Sequence, residues 1–380
     1  MKPIGIAMLV LAATPLLCSA ADELLYLAKP TRRGSALDDE VLRPWQAEWE
    51  AKREKLWVPL VRQAGRPRDG VLLRAWLQPP SAAVGCPARL ILSLANLRDK
   101  PAAVAHLLEV PLEPEVFARD PAGAIVKLTK KGAFLSAGPH YGDGLMPPEL
   151  PPGHAMGSTL ELPDIVRLEK PGTYSVLAVQ QLQGDMSGLA VSRVLSLELH
   201  PATGGELKAK TDLADRPPAT LLPEAGHTLG GCVLEAVLSS LPGPPRLVVS
   251  LTCLSEAIGG GDEVWHHNCV VEAAGGKPTD YKVVVRDAAG NAVPMNERGR
   301  KAYAAPGSFE SRVLRMGDAT GAIIPLAEWF DLSKPGEYTV LVSIAAPGGI
   351  RLWTKKGPEW RPGPTWAAKP VKITVPAARK

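Results

Sequence analysis

Val116-Phe-Ala-Arg-Asp-Pro-Ala-Gly-Ala-Ile-Val126 returns later in the chain as Val283-Val-Val-Arg-Asp-Ala-Ala-Gly-Asn-Ala-Val293. A second block follows in the same order in both places. Gly157 to Leu177 ends in Leu168-Glu-Lys-Pro-Gly-Thr-Tyr-Ser-Val-Leu177, and Gly321 to Leu341 ends in Leu332-Ser-Lys-Pro-Gly-Glu-Tyr-Thr-Val-Leu341. Two gap-free blocks in one order mean a duplicated module. The blocks carry turn chemistry. Asp120 and Asp287 are placed to accept local backbone hydrogen bonds, and Gly123 and Gly290 tolerate positive φ, which predicts a hairpin turn in each copy. Pro171-Gly172 and Pro335-Gly336 turn the chain into strands starting at Tyr174 and Tyr338.

Working outward, Val71-Leu-Leu-Arg-Ala-Trp-Leu77 and Arg89-Leu-Ile-Leu-Ser-Leu94 read as strands. Their counterparts are Val233-Leu-Glu-Ala-Val-Leu238 and Arg246-Leu-Val-Val-Ser-Leu251. Alternation puts Leu247, Val249, Leu251 and Cys253 on one face, expected to be the core, and Val248, Ser250 and Thr252 on the other. With 38 Pro and 36 Gly spread between short apolar runs, helix is disfavoured. The expected fold is all-β: two tandem immunoglobulin-like β-sandwiches, over 68–200 and 228–377, joined by a Gly- and Pro-containing linker over 201–227.

The segment 22–66 differs. Leu42, Trp45, Trp49, Leu56 and Leu60 fall on one face of a helix running from about Asp38 to Gln63, with Pro44 and Pro59 limiting its regularity. That face is expected to pack on the first sandwich. Residues 1–20, with Lys2 before an apolar stretch and Ala20-Ala21 at its end, have the parts of a cleaved signal peptide. The expected location is therefore secreted or periplasmic, with no transmembrane segment after cleavage; a form lipid-anchored through Cys18 is the lesser alternative, because Leu16-Leu17 lacks the usual small residue. Loss of Lys2 lowers a net charge of only +4, and acids and bases are interspersed, so nucleic acid is not an expected partner.

Asn96-Leu-Arg-Asp-Lys-Pro101, the Asp120 to Gly123 turn and Leu168 to Val176 together resemble bacterial immunoglobulin-like accessory domains, and among them the bacterial intracellular proteinase inhibitor family. The resemblance covers most of each module and implies a sandwich fold. The second module departs from it with Cys253-Leu-Ser-Glu-Ala-Ile at the equivalent place, and no activity is carried over.

Where two copies differ, a site is most readily added. The second copy is longer around Gly259-Gly-Gly-Asp-Glu-Val-Trp-His-His-Asn-Cys269, which supplies His266, His267 and Cys269 as metal-ligand types. Adjacent histidines on a strand point to opposite faces, a poor arrangement for one ion. A Cys253–Cys269 disulfide pinning the longer loop competes with the reading of both as core thiols, since the four cysteines of the mature chain allow three full pairings. The second difference is the Trp-rich stretch Arg351 to Trp366. There Trp353, Trp360 and Trp366 beside Lys355 and Arg361 form a candidate aromatic and cationic surface, unless the rings fill the core. No nucleophile elbow, zinc-protease motif or phosphate loop is present, so neither catalytic residues nor a cofactor is expected. The expected function is a non-enzymatic binding or scaffold protein whose partner is a cell-surface polysaccharide or protein. The alternative is a carbohydrate- or peptide-directed enzyme, or enzyme accessory, using the insert and the Trp-rich hairpin.

Overall fold

The computed structural model describes residues 39–103, 114–136, 149–182, 188–203, 232–239, 244–254, 268–271, 277–304, 312–345, 350–354, 357–361 and 365–376. The expected signal peptide and most of the expected linker lie outside them. The described chain is strand-rich, as its composition predicts. Strands of the N-terminal half are β1 (Val71–Gln78), β2 (Ser81–Ala83), β3 (Arg89–Asn96), β4 (Ala102–Ala103), β5 (Glu115–Arg119), β6 (Glu149–Leu150), β7 (Ala155–Glu161), β8 (Gly172–Gln181), β9 (Leu189–Val191) and β10 (Leu195–His200). The C-terminal half contributes β11 (Cys232–Leu238), β12 (Leu247–Cys253), β13 (Asn268–Val271), β14 (Lys282–Arg286), β15 (Arg312–Arg315), β16 (Ala319–Ile324), β17 (Gly336–Ala345), β18 (Ile350–Thr354), β19 (Gly357–Arg361), β20 (Thr365–Ala367) and β21 (Val371–Val375). Among the described residues no helix is long and apolar enough to cross a membrane.

Helix α1 (Asp39–Gln63) runs through both Pro44 and Pro59. An interior Pro costs a helix about 3 kcal/mol, and the packing of this one is extensive. Trp49, Leu56, Trp57 and Leu60 are buried in the N-terminal core. Trp49 meets the Phe117 ring edge-on at 6.4 Å between centroids. Arg53 lies fully buried beside them, its guanidinium 4.7 Å from the centre of the same ring and donating to Val116 O. Desolvation pushes its pKa down to about 10 although Glu115 and Glu50 raise it. Arg119 on β5 pairs with Glu54 and stacks over Trp57 at 5.2 Å. The helix is thus riveted to β5 by two arginine–aromatic contacts of opposite polarity, one rooted in the helix and one in the strand.

The Arg-Asp turns repeat atom for atom. Asp120 Oδ1 accepts from the Ala122 and Ala124 amides at 3.0 and 2.9 Å, and Asp287 Oδ1 from those of Ala289 and Asn291 at 3.0 and 2.8 Å. Gly123 and Gly290 take φ of 84° and 85°. Tyr174 and Tyr338 also act alike, each hydroxyl donating to the carbonyl four residues back, Lys170 O at 3.0 Å and Lys334 O at 2.7 Å.

The halves do not sit as separate beads. One six-stranded sheet runs β1-β3-β7-β16-β12-β11, three strands from each copy, joined where Ala155 on β7 pairs with Ala319 on β16. These two alanines lie two residues before the aligned Gly157 and Gly321 and are equivalent at the same offset, so the join lies on a pseudo-two-fold axis. The ends of the sheet then curl over and meet: Arg74 on β1 lies 2.8 Å from Glu235 on β11, with side chains only 5% and 7% exposed. Register makes this pair equivalent too. Val71 lies opposite Asn96 and Cys232 opposite Cys253, so the true counterpart of Val71 is Cys232, one residue before the Val233 that sequence comparison matches to it. A self-complementary contact of equivalent positions is the mark of a two-fold interface.

Two apolar clusters flank that ion pair, and Trp76, Ile91, Val233 and Leu254 of the first are equivalent to Val237, Val248, Leu72 and Leu97 of the second. Trp76, Ile91, Val233, Leu254 and Met316 form one. Ala95, Leu97, Ala155, Val248 and Ala319 form the other, with Leu72 and Val237 packed against it. Equivalent glycines let the backbones close: a Cβ on Gly157 would lie 2.2 Å from the Gly317 carbonyl carbon, and one on Gly321 2.1 Å from Gly153 O. This corrects the expectation of a single core face on β12. Leu247, Val249, Leu251 and Cys253 do enter the C-terminal core, but Val248, Ser250 and Thr252 are also fully buried because the other half covers them.

Removing one partner of a buried ion pair strands the other, at a cost of about 3–5 kcal/mol. Glu235→Leu is expected to lose that much in urea denaturation, and Arg74→Leu/Glu235→Leu or the exchanged pair Arg74→Glu/Glu235→Arg to recover most of it. A Glu235→Leu protein as stable as wild type would remove the pair from the architecture.

Candidate functional site

The Trp-rich stretch by which the second copy differs in sequence lies in a four-stranded sheet of the C-terminal half, ordered β15-β13-β18-β19. Hairpin β18–β19 pairs Arg351 with Trp360 and Trp353 with Pro358. Residues directly opposite in an antiparallel pair share a face, as do residues two apart on one strand. Positions 351, 353, 358 and 360 therefore lie together, with Trp353 and Trp360 as diagonal neighbours. Val270 on β13 is opposite Arg351 and extends the same face into the sheet. The reverse face of the hairpin carries positions 350, 352, 359 and 361.

The sequence-predicted surface is thus divided. Trp353 and Trp360 are brought to one face, and Arg361 falls on the other. Lys355 lies outside the described residues. Trp366 sits on β20 opposite Ile344 and is fully buried in the C-terminal core. Its ring is packing, the other role open to it from sequence. Arg351 was not singled out from composition; strand pairing alone sets it beside Trp360, and the signal that would have found it is the alternation of Arg351 and Trp353 along one strand.

Of the loop residues considered as metal ligands, His266 and His267 lie outside the described residues. Cys269 is at the β13 position opposite Leu314. Among the described residues, no three His, Cys, Asp or Glu side chains converge. Cys253, the other member of the expected disulfide, lies opposite Cys232.

The titratable groups with displaced pKa serve the scaffold. Asp120 is held below the ordinary carboxylate range chiefly by the Ala124 amide, and Asp287 chiefly by the Asn291 amide. Asp99 is lowered by the Arg246 guanidinium at 2.8 Å, a bridge between the halves. Burial pushes the Tyr303 phenol up to about 12, where its hydroxyl donates to Tyr281 O and its ring meets Trp329 edge-on at 5.3 Å.

Neither a known family profile nor any curated protein sequence matches the chain.

A carboxylate whose folded pKa is depressed contributes stability that is present above the unfolded value and is lost as pH falls through the folded one. Asp120 and Asp287 start from an ordinary value of 3.8. Melting temperature is therefore expected to fall as the solution is acidified below about pH 4, and Asp120→Asn/Asp287→Asn, which keeps the acceptor oxygen and removes the titration, to flatten that fall. An unchanged acid slope in the double variant would show that the turns do not contribute to it.

Proposed function

We propose that the protein is an exported, non-enzymatic binding protein of two tandem immunoglobulin-like sandwiches, which holds a cell-surface polysaccharide on one face of hairpin β18–β19. The observation that carries the reading is the pairing that sets Trp353 and Trp360 on one face beside Arg351. Large flat rings give contact area at little cost in side-chain entropy, and a polymer of sugar rings offers apolar faces and hydroxyls to match. A guanidinium adds five fixed donors for those hydroxyls or for an acidic sugar. The immunoglobulin-like reading is supported by Tyr174 and Tyr338, whose hydroxyls bond back to the chain just upstream as in the tyrosine corner of such sandwiches. It is also supported by the two cores, each enclosed between its part of the six-stranded sheet and a smaller sheet. Export rests on the leader over 1–20. Placement of the site at a divergent hairpin suits a duplicated scaffold, in which the shared parts serve the fold and the differing parts are available for binding.

Intrinsic tryptophan fluorescence titrated with soluble polysaccharides and cell-wall fragments tests the reading. The mature protein is expected to show a saturable change with one of them, and Trp353→Ala/Trp360→Ala to weaken binding at least tenfold while melting at the wild-type temperature. Undiminished binding by the folded variant would move the site elsewhere. Failure of every glycan to bind, with capture of a surface protein that the variant loses, would replace the polysaccharide with a protein partner on the same face.

A further inference from the structure

We infer that Cys232 and Cys253 form a disulfide bond across strands β11 and β12 when the protein folds in an oxidising compartment. The two residues are directly opposed in the register, and both are fully buried on the face that enters the C-terminal core. Hydrogen bonding decides which kind of opposed pair they are. The Cys253 amide donates to Asp318 O at 2.9 Å, and the Gly317 amide donates to Cys253 O at 2.7 Å. Both backbone groups of Cys253 therefore point toward β16, and in an antiparallel ladder neither then points toward β11. The other end of the same pair of strands agrees. The Ser239 amide donates to Arg246 O at 2.9 Å, and strict alternation from that rung makes Cys232–Cys253 a rung without hydrogen bonds. Such rungs hold their Cα atoms about 4.5 Å apart, inside the roughly 4.4–6.8 Å that a disulfide spans.

The duplication supplies a second, independent argument. The equivalent rung of the N-terminal half is Val71 opposite Asn96. There Asn96 fastens the chain leaving β3: its side-chain amide donates to Lys100 O at 2.9 Å and Leu150 O at 2.8 Å, and its oxygen accepts from the Arg98 amide at 2.9 Å. In the C-terminal half both members of the rung are cysteine. The side chain that made those three bonds is gone at the very position where a covalent tie across the rung becomes available. Cys253 can join only one partner, so this assignment replaces the Cys253–Cys269 pairing expected from sequence. The structure records Cys232 and Cys253 as thiols. Closing the bond removes two protons and two electrons, which thiol–disulfide exchange delivers to a disulfide donor, itself reduced to two thiols.

In the cell the inference rests on the proposed export; in solution it rests on geometry alone. The test is refolding of the mature protein in a buffer of reduced and oxidised glutathione, alkylation of remaining thiols, and peptide mass mapping without reduction. Trypsin leaves Cys253 and Cys269 in one peptide, whereas glutamyl endopeptidase cuts after Glu235 and Glu256 and separates all three. The expected result is a linked Cys232–Cys253 peptide pair, lighter than the sum of its parts by two hydrogen atoms and split by reductant. The melting temperature is expected to drop on reduction in wild type and to be indifferent to reductant in Cys232→Val/Cys253→Ala. A Cys253–Cys269 pair, or alkylated Cys232 and Cys253 after oxidation, would overturn it. If the bond forms in solution while protein recovered from its native cells carries both residues alkylated, the assignment stands and export fails.

Discussion

The architecture depends on the ion pair of Arg74 and Glu235, at equivalent positions of the two copies on the pseudo-two-fold axis. A buried ion pair is seldom a large source of stability, because desolvation offsets the attraction. Here its geometry is not that of an aligned hydrogen bond, so its value lies in neutralising charge and in choosing the partner. Two N-terminal halves brought together the same way would bury arginine against arginine, and two C-terminal halves glutamate against glutamate. Only the unlike pair closes. One substitution of opposite sign in a duplicated module is enough to make each half prefer the other to a second copy of itself.

Around this pair the remaining seam features follow. The two clusters on Trp76 and on Leu97 supply the apolar burial that drives closure. Gly153, Gly157, Gly317 and Gly321 let β7 and β16 approach to distances that a single methyl group would block. Ser250 donates to Gly153 O at 3.1 Å, and the Gly157 amide donates to the Asp318 carboxylate at 2.8 Å, so these two polar groups at the crossing find partners in the other half.

Local chemistry was legible in the sequence and long-range burial was not. The turns at Asp120 and Asp287, the strands entered at Tyr174 and Tyr338 and the helix face of Trp49, Leu56 and Leu60 each depend on residues close together in the chain. Strand β12 shows the limit. Its alternation identified Leu247, Val249 and Leu251 as core, yet Val248, Ser250 and Thr252 are equally buried, because a face's cover comes from a strand far away in sequence. A near-continuous apolar run such as Leu90-Ile-Leu-Ser-Leu94 was the available sign of burial on both sides. The same reason divides the tryptophans: composition groups Trp353, Trp360 and Trp366, while pairing puts the first two on a hairpin face and the third in the core.

A scaffold closed in this way behaves as one body although it is built from two copies, which would give the proposed binding hairpin a rigid base. The most direct test is differential scanning calorimetry of the protein without residues 1–20. If the seam joins the halves, unfolding is a single transition whose calorimetric and van't Hoff enthalpies agree. Two resolved transitions, or a van't Hoff enthalpy near half the calorimetric one, would show two independent units and contradict the account.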